Sequence, residues 1–199
     1  MDIVIDIHGY YGLKNQPFIK ELAILSVQAN NSNVFIDKHC LFTPPYRWEL
    51  LSKSCQNDYL RMFNIHGIPW QLGFFKADLQ VSILRNNIKN AKCIYLFDNN
   101  IKKFLSKITR KINKKRILCL SKRGFYIKIN KFQTQCNHHQ YPKYNNCAYD
   151  NAMKMRSWII QKLLKKNKKI NIPHILKVKK NKRKLSKLKS KLSYKLSCR

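Results

Sequence analysis

Residues 2–8, DIVIDIH, alternate branched apolar with polar side chains, the period of a half-buried strand, and a turn is expected over GYYGLKNQP. FIKELAILSVQ (18–28) and NVFIDKHCLF (33–42) predict two further strands, separated by the polar cluster Ala29-Asn30-Asn31-Ser32. Three consecutive strands with short links predict an antiparallel meander. Pro44-Pro45 ends this pattern, and the apolar period then lengthens from two to 3.6. RWELLSKSCQNDYLRMF (47–63) reads as a helix. After the loop IHGIPW come a helix over 77–90, a short buried strand over 93–97, a helix over 101–109, a strand over 116–121 and a strong helix over 149–166. The order is β-β-β-α-β-α-β-α. It predicts an α/β fold over residues 1–164, in which a mixed sheet, meander plus parallel strands, is flanked by helices.

From Lys165 the pattern dissolves into Lys and Asn, then KVKKNKRKLSKLKSKLSYKLSCR. Residues 165–199 form a basic, low-complexity tail, expected to be disordered alone. Leu185, Leu188, Leu192 and Leu196 would share one side if the tail became helical on binding.

Composition adds a partner to this layout. The 199 residues carry 41 Lys and Arg against 9 Asp and Glu. Residues 1–100 hold 10 basic and 8 acidic side chains, a net of +2, whereas residues 101–199 hold 31 and 1, a net of +30. So large a charge repels itself, and a polyanion relieves that repulsion. Nucleic acid fits best, with an anionic membrane second. The tail cations Lys177, Lys179, Lys180, Lys182, Arg183, Lys184, Lys187, Lys189 and Lys191 are mostly lysines, which suit point-charge contact to phosphate more than bidentate reading of bases. Binding to DNA or RNA is thus expected to be largely independent of sequence and steeply salt-dependent. The run 177–187 also reads as a nuclear-import cluster. Tyr10, Tyr11, Trp70, Phe74 and Phe75 are candidates for base stacking, against the plainer reading that they fill the core.

No stretch has the ~18 uninterrupted apolar residues of a spanning helix. The first residues, MDIVIDIHGYYG, carry acids where a signal peptide has its basic region. An intracellular, nuclear site of action is the expectation, with association with a virion as the alternative. The seven cysteines, odd in number and widely spaced, are expected to be reduced.

Three local sequences, in this element order, resemble the DnaQ-like 3′-5′ exonucleases of the ribonuclease H-like superfamily. The first strand reads Val-Ile-Asp6-Ile-His8-Gly, where that family has Asp-x-Glu. Ile65-His66-Gly67-Ile68 matches its Ile-His-Gly-Ile loop, and IYLFDNNIKKFL (94–105) resembles HNxxFDxxFL. Asn146-Cys147-Ala148-Tyr149-Asp150-Asn151 stands where the family has HxAxxD. The chain is also similar to a group of uncharacterised insect and insect-virus proteins with an HGI-W segment. The resemblance covers roughly residues 2–165 and implies a ribonuclease H-like sheet.

The family holds two divalent ions, Mg or Mn, on four carboxylates and uses a histidine as general base. Carried over, Asp6 is the first carboxylate and His8 stands at the second, where imidazole suits a transition metal better than Mg. The third position falls at Ile101, with Asp98 three residues early. The base and the last carboxylate fall on Asn146 and Asn151, with Asp150 adjacent but turned by about 100° along the helix. Asp6, His8, Asp98 and Asp150 are therefore candidate remnants of a catalytic set. The implied function is nucleic-acid binding on a degenerate exonuclease-like fold without cleavage. The alternatives are an active exonuclease on single strands and a basic, DNA-condensing virion protein.

Cys136 and His139, in the pattern CxxH, with Cys147 and upstream Cys119, are candidate ligands of a closed, structural zinc site. Against this stands the reading of such cysteines as small buried hydrophobes.

Overall fold

The computed structural model describes residues 1–13, 16–27, 35–127, 136, 138–139 and 146–165. The chain divides into two bodies, Met1–Trp158 and Ile159–Arg199; of the second, 159–165 are described and are helical. The tail cations named above lie outside the described residues.

In the first body, strands β1 (Asp2–Tyr11), β2 (Pro17–Ser26), β3 (Asp37–Leu41), β4 (Cys93–Leu96) and β5 (Arg116–Cys119) form one five-stranded sheet in the order β3-β2-β1-β4-β5. β1, β2 and β3 pair antiparallel, whereas β4 runs parallel to β1 and β5 parallel to β4. The fold is thus α/β with a mixed sheet, meander first and parallel strands after, as the hydrophobic pattern predicts. Helices α1 (Lys53–His66), α2 (Gln80–Ile88) and α3 (Asn99–Ile108) connect the strands. A last helix, α4, occupies 148–158 of this body. No helix among the described residues is long and apolar enough to cross a membrane.

Both sheet faces are covered, which is why β1 and β2 are buried along nearly their whole length. One face carries Ile3, Ile5, Ile7, Leu22, Ile24, Ile94 and Leu96, which join Leu84 and Ile88 of α2 and Leu105 of α3 in one apolar cluster. The alternation of β1 sends Val4, Asp6 and His8 to the opposite face, with Ala23 and Glu21 as register partners of the last two. Helix α4 packs there through Ala148, Asn151, Ala152 and Met155, all buried and spaced by three, one and three residues.

Element edges differ from the sequence expectation where local chemistry intervenes. The expected turn over 9–17 is shorter, because Gly9, Tyr10 and Tyr11 still pair with β2, and Gly12 N–H donates to Gln16 O at 2.9 Å. The register slips once: His8 faces Glu21 but Gly9 faces Ile19, leaving Lys20 as the extra residue of a β-bulge. Gln80 of α2 accepts the Ile19 N–H at 2.9 Å, supplying a partner beside the bulge. The helix expected over 47–63 begins at Lys53 instead. Leu51 is extended, Ser52 caps the helix by accepting from Cys55 N–H at 3.3 Å, and Trp48–Leu50 is a separate 3-10 turn. Likewise, Asp98 starts α3 two residues early by accepting from Asn100 and Ile101 N–H at 2.9 and 3.0 Å.

A candidate site in two parts: a pocket with one carboxylate and a buried His/Cys cluster

Asp6 and His8 point from the same side of β1 toward the start of α4. With Ile101, Asn146 and Asn151 they line a pocket of about 230 Å³. The five positions that the resemblance assigns to metal ligands and base therefore meet in one cavity, although they come from β1, α3, the approach to α4 and α4 itself. Of the five side chains only Asp6 is a carboxylate.

Asp6 is 3% exposed. Burial, opposed by a hydrogen bond with Asn151 and reinforced by the nearby charge of Glu21, pushes its carboxyl up to about 8. Near neutral pH it is therefore mostly protonated. Asn151 in turn donates to Asn146 Oδ1 at 2.8 Å, while its own Oδ1 has no partner. A protonated Asp6 supplies the kind of donor that this oxygen lacks.

Asp98 and Asp150 do not line the pocket. Asp98 is occupied as the α3 cap. Asp150 is half-buried on α4, next to Asn151 but a helical step of about 100° round from it.

The second part is built on Glu21. The sequence places this acid, beside Lys20, inside an otherwise apolar strand, and the structure buries it completely. Its Oε1 lies 2.8 Å from His39 Nε2, 3.2 Å from His139 Nε2 and 3.3 Å from Cys147 Sγ. Its Oε2 accepts from Ala148 N–H, the start of α4, at 3.0 Å. His8 Nε2 sits 3.4 Å from the same oxygen, near enough for charge attraction but not aligned as a hydrogen bond. Burial alone would raise the Glu21 carboxyl. Hydrogen bonds from His139 and His39, with the charge of His8, instead hold it well below the usual range.

His139 is pulled the other way by the same contacts: burial would lower it, but its bonds to Cys136 and Glu21 push it up to about 10. Its Nδ1 donates to the carbonyl of His66. Cys136 and Cys147 are hydrogen-bonded to each other, which favours thiolate at Cys136 and the protonated thiol at Cys147. Glu21, His39, Cys136 and Cys147 each bring one potential ligand atom to within 4.8 Å of all the others. Of the zinc candidates from sequence, Cys136, His139 and Cys147 meet here. Cys119 does not: it ends β5, and its thiol donates to Asn99 Oδ1 at 3.0 Å. Its place is taken by His39 and Glu21, which the sequence reading missed. The available signal was an acid in the middle of FIKELAIL.

His66 serves the loop after α1. Its Nδ1 accepts from Ile68 N–H at 2.9 Å, so the proton sits on Nε2 and is donated to the Tyr10 hydroxyl. Burial, then the neighbouring His8, pushes it down to about 2, which keeps the ring neutral. Of the stacking candidates, Tyr10 and Trp70 are buried in the core, whereas Phe74 is 62% and Tyr11 40% exposed.

The basic residues form a further surface on the folded body. Between Asp98 and Asp150 the chain has no acid, and Lys102, Lys103, Lys107, Arg110, Lys111, Lys114, Arg116, Lys122 and Arg123 are all exposed. On α3 the reason is helical spacing: Ile101, Phe104, Leu105 and Ile108 turn inward, which leaves Lys102, Lys103 and Lys107 outside. The Lys107 ammonium lies 4.5 Å above the Tyr11 ring. Comparison of the chain with protein-family models and with curated proteins found no match.

Proposed function

We propose that this chain binds nucleic acid through phosphate contacts, on an exonuclease-like fold of the ribonuclease H-like type that no longer cleaves. The observation that carries the second half is the pocket's single carboxylate, Asp6, which is itself held mostly protonated near neutral pH. Two-metal hydrolysis needs several ionised oxygen ligands around the reacting phosphate. Histidine, isoleucine and two asparagines do not supply that charge.

Binding is supported by the acid-free stretch from residue 99 to 149, one of whose exposed cations, Lys107, lies over the ring of a side chain able to stack, Tyr11. Lysine predominates over arginine in the tail, which favours backbone contact over base reading. The sheet order β3-β2-β1-β4-β5, meander first, is consistent with the resemblance that motivates the fold assignment.

The test pairs two assays on full-length protein. Fluorescence anisotropy with labelled single-stranded DNA and RNA is expected to show binding to both. With roughly 6–10 phosphate contacts, affinity should fall by about a thousandfold or more between 50 and 200 mM salt. Incubation of the same oligonucleotides with Mg or Mn is expected to leave them full length. Metal-dependent shortening that disappears in Asp6→Ala would replace this reading with the exonuclease one. Salt-independent binding, or none, would remove the phosphate-binding half.

A further inference from the structure

We propose that Glu21, His39, Cys136 and Cys147 form a structural zinc site that clamps the segment leading into α4 onto strands β2 and β3. The proposal is independent of whether the chain binds nucleic acid.

Its first ground is geometric. The four groups come from three separated parts of the chain, yet their ligand atoms lie within 4.8 Å of one another. A tetrahedron with Zn–S bonds of about 2.3 Å has edges of about 3.8 Å, so the cluster needs only a contraction of about 1 Å to close round an ion. Two thiolates and an imidazole are the donor set that zinc favours, and a carboxylate completes four-coordination.

The second ground is charge. Glu21 is fully buried and, among the described residues, its ion-pair partners are His8, His39 and His139, with no lysine or arginine. A buried carboxylate beside two cysteine sulfurs gathers electron-rich donor atoms where water cannot solvate them. A divalent ion is the partner that such a donor set accepts, with the thiol protons released on binding.

The third ground is the surrounding support. His139 bridges the cluster to the loop after α1, with Nδ1 on the His66 carbonyl and Nε2 on Glu21. This fixes its ring beside the site in the way that outer residues orient metal ligands. With Cys147 fully buried and all four positions filled by protein, the site has no open coordination place and is not catalytic.

Full-length protein, purified without a histidine tag and analysed by mass spectrometry of its metals, is expected to contain about one zinc per chain. Replacement by Co(II) should give the visible bands of a tetrahedral site together with a thiolate-to-cobalt charge-transfer band. Cys136→Ser and Cys147→Ser should each remove or halve that band, whereas Cys119→Ser should leave it unchanged. His139→Ala, which removes outer support, should weaken zinc by about 10- to 100-fold. Should the cysteine variants fail to fold, alkylation of the wild type decides the matter: Cys136 and Cys147 should resist iodoacetamide until a chelator is added. A folded, metal-free protein that gives no cobalt spectrum would overturn the proposal. So would cobalt bound without a thiolate band, equal loss in Cys119→Ser, or alkylation indifferent to the chelator.

Discussion

Asp6 shows how far burial without a neighbouring cation shifts a carboxylate's chemistry. Its carboxyl titrates near 8 when folded and near 4 when unfolded, so the folded state binds the proton more tightly. The stability from this group is therefore complete below about pH 4 and declines as pH rises toward 8, by on the order of 4 kcal/mol at pH 7. Asp6→Asn removes that dependence and keeps an N–H donor for the orphaned Asn151 oxygen. The variant is expected to resist urea better than wild type at pH 8, with the difference shrinking toward pH 4.5. A variant less stable at pH 8 would mean that Asp6 is ionised and held by a cation. His66 makes the converse case: removing its ring in His66→Ala strands the Ile68 N–H and the Tyr10 hydroxyl, at a cost of about 2–4 kcal/mol measured by chemical unfolding.

At the scale of elements, β2 does more than pair with its neighbours. The bulge at Lys20 aims that fully buried side chain at the carbonyls of Phe42, Trp70 and Leu72, and burial pushes its ammonium down to about 7. The loop it holds also passes so close to the backbone just after β3 that a Cβ on Gly73 would lie 2.2 Å from Thr43 N, so the anchor and the contact act together. Lys20→Ala is expected to destabilise the protein by about 2–4 kcal/mol and to speed amide exchange at Phe74 and Phe75 more than elsewhere. Much at this scale was legible in the sequence, because period and breakers are local: β4, β5 and the helix before the tail lie where their patterns place them. Boundaries moved where a single side chain decides, as at Ser52 and Asp98. The bulge had no local signature, since it reflects partners 50 and 61 residues away, Trp70 and Gln80.

For the whole molecule, the charge asymmetry was legible in the sequence, and so were the positions that meet in the pocket, because the resemblance names them in chain order. The Glu21 cluster was not. His39 and Glu21 belong to β3 and β2 and join Cys136 and Cys147 only through folding, so spacing offered Cys119 instead. Under the proposed nucleic-acid binding, the exposed cations from Lys102 to Arg123 predict that the basic tail is not the whole binding surface. A chain ending at residue 165 is expected to bind single-stranded DNA more weakly than full-length protein yet with a salt slope clearly different from zero. A slope of zero would confine binding to the tail.

The contacts of Glu21 also set the order in which the chain can be made. Its partners His139, Cys147 and Ala148 follow it by 118, 126 and 127 residues. On the ribosome, the meander β1–β3 emerges with His8 and His39 beside its central acid but long before His139, Cys147 and the Ala148 N–H, which complete its contacts. Closing so long a loop is slow, and until it closes the sheet carries an incompletely partnered acid on a half-covered face. Chains stopped before Cys136 are therefore expected to accumulate as protease-sensitive or chaperone-bound species. The emergence of Cys136 to Ala148, rather than the formation of the strands, becomes the step that commits a nascent chain to its folded form.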